Sequence, residues 1–151
     1  METLLTLLQH AQAERDRARA AYEAALAAQR ATQAQAQMLL AYRREYESRW
    51  SRQFSEYGEM ELVRSYHGFM QRLTHAVDHQ QSADQHADEK LAAAQALWRT
   101  REIRLASIRK LIERRQAAAR SEHQRRDQKL SDELATRALL DALPYDELTP
   151  Y

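Results

Sequence analysis

Apolar residues recur along the first third of the chain in alternating steps of four and three. Eleven of the sixteen positions selected in this way are apolar or aromatic. Such a repeat, sustained over more than four heptads, is typical of the seam of a coiled coil. The pattern therefore predicts one long helix with a single packing face. Its positions are Leu4, Leu8, Ala11, Arg15, Ala18, Tyr22, Ala25, Gln29, Thr32, Ala36, Leu39, Arg43, Tyr46, Trp50, Gln53 and Tyr57.

The same stepping resumes at Leu62 and continues to Ile112, with one additional step of four between Ala87 and Leu91. An inserted step of four is a stutter, which locally unwinds a supercoil. The pattern predicts a second long helix whose supercoil is disturbed near Ala87. Its seam positions are Leu62, Tyr66, Phe69, Leu73, Ala76, Gln80, Ala83, Ala87, Leu91, Ala94, Trp98, Arg101, Leu105, Ile108 and Ile112.

Residues that break helices are almost absent, since the only glycines are Gly58 and Gly68 and the only prolines are Pro144 and Pro150. A glycine inside a helix costs only about 1 kcal/mol relative to alanine, so one break, near Gly58, is enough to make a turn. We predict an all-α fold, a long antiparallel two-helix coiled-coil hairpin with a C-terminal helical overhang. The predicted segments are a single domain over 1–143, with helices at about 2–57 and 60–143, a turn near 58, and an extended or disordered tail at 144–151.

Folding back at Gly58 determines which residues oppose each other and where the second helix outlasts the first. We expect the second helix to lack an intramolecular partner from about Arg115 onward, and we name residues 115–143 the overhang. The large side chains expected to meet in pairs are Trp50 with Phe69, Tyr46 with Leu73, Tyr22 with Trp98, and Leu8 with Leu111.

Residues 39–80 contain seven of the eleven aromatic side chains. Tyr42 differs from the others because it is not one of the seam positions. It lies between Leu39 and Tyr46 along one side of the helix, and Gln35 lies one turn before Leu39 on the same side. Such a stripe can present a rigid aromatic anchor to a partner, and aromatic residues are favoured at binding hot spots. Core packing near the turn is the simpler interpretation for three other rings, those of Trp50, Phe54 and Tyr57.

The composition of the chain narrows the range of functions that it can have. The chain has 30% charged residues, a net charge of +1 and no cysteine, which excludes disulfides and thiolate metal sites. The apolar start is too short for a signal peptide or a membrane span, so we expect a cytoplasmic protein. No phosphate-binding loop, nucleophile elbow or carboxylate dyad is present, and a two-helix rod offers no cleft that excludes water. We predict no enzymatic activity, no cofactor and no small-molecule substrate.

His75 and His79 are four residues apart, a spacing that can chelate a metal from one helix face. Metal sites normally need three or four convergent ligands, and no HExxH pattern accompanies this pair. We therefore interpret both side chains as solvent-facing or seam-edge histidines and predict no metal site.

Residues 99–126 contain ten basic and three acidic side chains, a local balance of +7. A helix with this charge can remain solvated, dock on an acidic protein surface, or follow nucleic-acid phosphates. Nucleic acid is the least favoured of the three, because the run lacks aromatic side chains that would stack on bases.

Four segments resemble the FliJ family of flagellar export proteins, and their order and spacing span nearly the whole chain. Each segment is degenerate, as coiled-coil motifs are, so the combination carries the resemblance. The segments are LLTLLQHAQAERDRA, LLAYRREYESRW, YHGFMQRLTHAV and HQRRDQKLSDELATR.

The resemblance implies a stalk that promotes assembly and activity of the hexameric export ATPase and links it to the cytoplasmic domain of the membrane export gate. It also implies escort of export chaperones, and a location on the cytoplasmic side of the inner membrane, reached through the export apparatus. The gate-binding residues that it implies are Gln35, Leu39, Tyr42, Tyr46, Phe69, Leu73, Ala76 and Gln80, the last at a position where the family can have histidine. The candidate contacts to the ATPase ring are Arg109, Arg114, Arg115, Arg120, Arg125 and Arg126.

Two other functions fit the same residues. The equivalent stalk of a virulence-type secretion system would share this rod geometry. A basic coiled-coil scaffold or nucleic-acid-binding protein would instead use the run of arginines between Arg99 and Arg126.

Overall fold

The computed structural model describes residues 1–56 and 60–143, apart from the side chains of 55 and 56. Helix α1 spans Glu2–Glu56 and helix α2 spans Met60–Ala142. Leu143 is a bend, so α2 ends one residue before the predicted boundary. The described residues contain no strand. The turn predicted at Gly58, the ring of Tyr57 and the tail 144–151 lie outside the described residues.

The chain divides into two compact units. The hairpin unit comprises Gln9–Leu105, and the terminal unit comprises Met1–Leu8 together with Ala106–Tyr151. In the hairpin unit the two helices run antiparallel, since Tyr22 meets Trp98 with ring centroids 5.1 Å apart and Tyr46 stacks on Phe69 at 4.1 Å. The predicted all-α helical hairpin is thus confirmed.

The predicted seam of α1 is confirmed over most of its length. Every predicted position from Leu4 to Trp50 is buried or half-buried. The exception is the next position, Gln53, which is exposed, while Phe54 is half-buried. Phe54 leaves the strict stepping because its ring packs against both Trp50 and Tyr66.

The seam of α2 differs from the prediction in its first half. Ala76 is exposed and Val77 is buried. A step of four therefore joins Leu73 to Val77, so the stutter lies closer to the start of α2 than predicted. The physical reason is that burying valine removes more apolar surface from water than burying alanine.

Pairing along the hairpin is partly as predicted. The Tyr22 and Trp98 pair is confirmed. Near the start of α2 the ring pairs are displaced by about one helical turn from the prediction, since Tyr46 stacks on Phe69, four residues before its predicted partner Leu73. Trp50 likewise packs on Tyr66, at 5.4 Å, where Phe69 was predicted.

The buried core is thin in both units. In the terminal unit Leu4, Ile108 and Ile112 are buried, whereas Leu111, the predicted partner of Leu8, is exposed. Leu111 lies one position away from Ile112 and outside the buried face that carries Ile108 and Ile112. The hairpin unit buries Ala11, Ala18, Leu73, Val77 and Leu105.

Every residue of the overhang is exposed. Its helix is therefore held by backbone hydrogen bonds and local side-chain pairs, such as Arg126 to Glu122 at 2.7 Å. None of the described helices has an apolar stretch of the length and hydropathy that crossing a membrane requires.

Replacing Gly68 with alanine should stabilise α2. A Cβ atom at this position would meet no atom within 4 Å, and the glycine has no positive φ. We expect the free energy of unfolding to rise by about 0.5 to 1 kcal/mol, the difference in helix propensity between the two residues. Thermal unfolding followed by circular dichroism measures this change. The reverse control is Ala92→Gly, at an exposed position of the same helix, which should lower the melting temperature. An unchanged or lower melting temperature for Gly68→Ala would contradict the prediction.

Candidate protein-binding surfaces

Aromatic rings form a continuous ladder in the hairpin unit. Trp50 contacts Tyr46 at 5.9 Å and Tyr66 at 5.4 Å between ring centroids. Tyr46 in turn stacks on Phe69, and Tyr42 completes the ladder at 5.8 Å from Tyr46. Offset and edge-on aromatic pairs contribute about 0.5 to 1.5 kcal/mol each beyond the area that they bury. The ladder therefore holds the end of the hairpin unit together where aliphatic core residues are scarce.

Tyr42 is the exposed end of this ladder. Its side chain is 49% exposed, which agrees with its predicted place outside the seam. The edge of its ring nevertheless meets Phe69, with centroids 6.3 Å apart. A partner that covered Tyr42 would meet a ring already held by two neighbours, so little side-chain entropy would be lost on binding.

The other predicted gate-binding residues fall into three groups by exposure. Gln35 and Ala76 are exposed like Tyr42. Leu73 is buried, so its side chain supports the surface from beneath. Four residues are half-buried, namely Leu39, Tyr46, Phe69 and Gln80.

Gln80 has a structural role that sequence analysis did not reveal. Its side-chain amide donates a hydrogen bond to the backbone carbonyl of Thr32, at 2.8 Å, and contacts Asp84 at 3.3 Å. Since the first of these bonds crosses from α2 to α1, Gln80 fixes the register of the two helices. Leu39 and Gln80 also line the same small cavity of the hairpin unit.

Met38 was missed by the sequence analysis. Its side chain is 72% exposed and lies one helical turn before Tyr42. Methionine side chains adapt readily to the shape of a partner. The spacing i, i+4 to Tyr42 was the signal in the sequence, but Met38 falls outside the seam from which the stripe was identified.

A charged cluster at the other end of the hairpin unit was also missed. Glu14 lies 3.0 Å from Arg101, 3.6 Å from Arg104 and 3.0 Å from His10. The Arg101 contact is an ion pair rather than a hydrogen bond, because Glu14 Oε2 is buried and has no hydrogen-bond partner of suitable geometry among the described residues. This cluster ties the two helices together where alanines dominate the seam, and its partners could be found only once the register was known.

The predicted ATPase contacts all lie in the terminal unit. The six arginines are exposed, and among the described residues only Arg126 of these six forms an ion pair, with Glu122 on the preceding turn. Positive charge on an exposed helix attracts acidic surfaces over roughly a Debye length, about 8 Å at physiological ionic strength. The run from Arg109 to Arg126 can therefore act as a docking strip for an acidic protein surface.

His75 and His79 are both exposed on α2. Over residues 1–56 and 60–143, no three histidine, cysteine, aspartate or glutamate side chains are arranged to hold a metal ion.

The comparisons with known proteins identify one family. Residues 1–143 match the sequence model of the family described as "FliJ: Flagellar FliJ protein". No curated protein and no solved structure matches the chain.

Proposed function

Because this chain belongs to the FliJ family of flagellar proteins, we propose that it is a non-catalytic coupling stalk of the flagellar export apparatus. Family membership makes it a flagellar export-associated protein. In the proposed role, one surface binds the cytoplasmic domain of the export gate and another binds the export ATPase ring. Binding promotes assembly of the ATPase ring and raises its ATPase activity, and the protein connects the ring physically to the export gate.

The observation that carries the proposal is the half-exposed Tyr42, held by Tyr46 and Phe69. A pre-positioned aromatic ring beside the adaptable side chain of Met38 has the composition of a binding hot spot. Gln35 and Ala76 extend this surface, and we name Gln35, Met38, Tyr42 and Ala76 the aromatic face. The aromatic face is the proposed gate-binding surface, with buried Leu73 as its support.

We name the six exposed arginines at 109, 114, 115, 120, 125 and 126 the basic strip, and their charge supports the proposed contact with the ATPase ring. The six exposed arginines between Arg109 and Arg126 belong to the terminal unit, whereas the aromatic face belongs to the hairpin unit. Two surfaces of different chemistry suit two different partners, one aromatic and apolar and the other electrostatic. We assign the basic strip to the ATPase ring.

The proposal has three further parts. The protein escorts export chaperones, it works in the cytoplasm, and it reaches the inner membrane only through the export apparatus. The match to a flagellar family favours this assignment over the stalk of a virulence-type secretion system.

Replacing Tyr42 with alanine should weaken binding to the gate's cytoplasmic domain by about 30-fold, the loss typical of a hot-spot residue. The ring is half exposed and lies outside the seam, so the helices should remain folded. Isothermal titration calorimetry with the purified gate domain measures the loss, and binding to the ATPase should not change.

Leu97→Ala is the matched control, because Leu97 is exposed to nearly the same extent, 47%, in the same unit. It should bind the gate domain as wild type does. Equal gate binding by the Tyr42 and Leu97 variants would contradict the assignment of the aromatic face.

A further inference from the structure

The overhang carries leucines that no residue in the described part of the chain covers. Leu130 is 58% exposed and Leu134 is 65% exposed, one turn apart on α2. Exposed apolar side chains on a helix without a packing partner are an association surface when they share a face with complementary groups. The charged residues around these two leucines decide what that surface fits.

Six residues of the overhang lie on one face of α2, spaced by alternating steps of four and three. This spacing puts them in the a and d positions of a coiled coil. In chain order the face reads as an imidazole, a carboxylate, two leucines, a guanidinium and a carboxylate. We name it the overhang face, and it consists of His123, Asp127, Leu130, Leu134, Arg137 and Asp141.

In a second copy that runs antiparallel, the same groups follow in the reverse order. Each group of one copy then faces a group of the other copy with which it can make a favourable contact. When a second copy lies antiparallel and Leu130 opposes Leu134 of that copy, Asp127 opposes Arg137 and His123 opposes Asp141. A two-fold axis then repeats each pair, so the six layers contain two leucine layers, two aspartate–arginine layers and two histidine–aspartate layers. No layer brings like charges together.

We propose that the overhang face binds a second copy of this chain as an antiparallel coiled-coil dimer. A parallel dimer is disfavoured, because it would place Asp127 against Asp127 and Arg137 against Arg137 of the partner. The antiparallel pairing is isologous, with the same patch used on both copies, which is the usual interface of a two-fold dimer. In this dimer the exposed C-terminal part of α2 packs against the same part of the second copy.

The dimer is expected to be weak and sensitive to salt. Only two leucines per copy enter the seam, and the ion pairs compete with water and salt. His123 must also exchange its contact with Asp127, 3.6 Å away on its own helix, for the aspartate of the partner. An interface of this strength can be replaced by another partner of the overhang.

Charge reversal tests the pairing in the full-length purified chain, by sedimentation equilibrium at low salt. Asp127→Arg should weaken the dimer about tenfold, because Arg137 of the other copy would then face an arginine. Arg137→Asp should weaken it similarly, and the double variant should recover wild-type association. Asp132→Arg, at an exposed position on the opposite side of the helix, is the matched control and should leave the dimer intact.

The absence of native cysteines permits a direct test of the direction. Chains with Leu130→Cys and chains with Leu134→Cys should form disulfide-linked dimers when the two are mixed and oxidised, and far fewer when each is oxidised alone. A monomer at all accessible concentrations would overturn the proposal. A dimer whose affinity is unchanged by the charge reversals would also overturn it, as would efficient cross-linking of either cysteine variant with itself. Neither test involves the gate or the ATPase, so its outcome is separate from that of the proposed function.

Discussion

Replacing Leu105 with alanine should lower the free energy of unfolding by about 3 kcal/mol, within the range measured for leucine truncation in packed cores. Leu105 is 0% exposed and is the largest side chain of the described residues to be fully buried. The hairpin unit has few other buried apolar residues, so its neighbours have little material with which to fill the cavity. Chemical denaturation followed by circular dichroism measures the change.

The truncation of Leu97, eight positions earlier in α2, provides the control. Because Leu97 is half exposed, its replacement by alanine should cost less than about 1 kcal/mol. Equal losses for the two variants would show that burial in the seam does not determine the stability of this hairpin.

Reversing the charge of the basic strip should strongly weaken the proposed contact with the export ATPase. We expect the combined substitution of Arg114, Arg115 and Arg120 by glutamate to weaken binding to the export ATPase by about two orders of magnitude, because attraction becomes repulsion at three positions. The stimulation of ATP hydrolysis by the protein should be lost in parallel. Surface plasmon resonance and a phosphate-release assay measure the two effects.

A control of equal charge change is available in α1. Arg17, Arg30 and Arg44 are exposed, and their combined replacement by glutamate should leave ATPase binding within about threefold of wild type, because the added charges lie outside the basic strip. Raising the salt concentration should weaken wild-type binding but not restore the reversed variant. If both triple variants bind equally, net charge rather than the basic strip governs the contact.

The sequence was sufficient to predict the fold because helix-breaking residues are nearly absent and the heptad repeat is long. In α1 the repeat identified the buried face from Leu4 to Trp50. In α2 it failed at Ala76, which strict alternation selects, whereas the adjacent Val77 fits only after an additional step of four. Only the packing of both helices together shows that Val77 enters the seam.

The candidate surfaces were predictable where a residue's own spacing determines its exposure. Tyr42 lies outside the heptad steps and is exposed, as predicted. Apart from the Tyr22 and Trp98 pair, the contacts between the helices were not predicted, because they depend on a register that the stutter shifts. The ion pairs of Glu14 with Arg101 and Arg104 are of this kind, and so is the hydrogen bond from Gln80 to Thr32.

The central claim is that one chain joins the export gate to the export ATPase through two separate surfaces. Its most direct test is sedimentation velocity of the gate's cytoplasmic domain, the ATPase and the protein mixed together. We predict a ternary complex with the wild type, only the ATPase complex with Tyr42→Ala, and only the gate complex with the Arg114, Arg115 and Arg120 charge reversal. Mutually exclusive binding of the two partners to the wild type, or loss of both partners by either variant, would contradict the account.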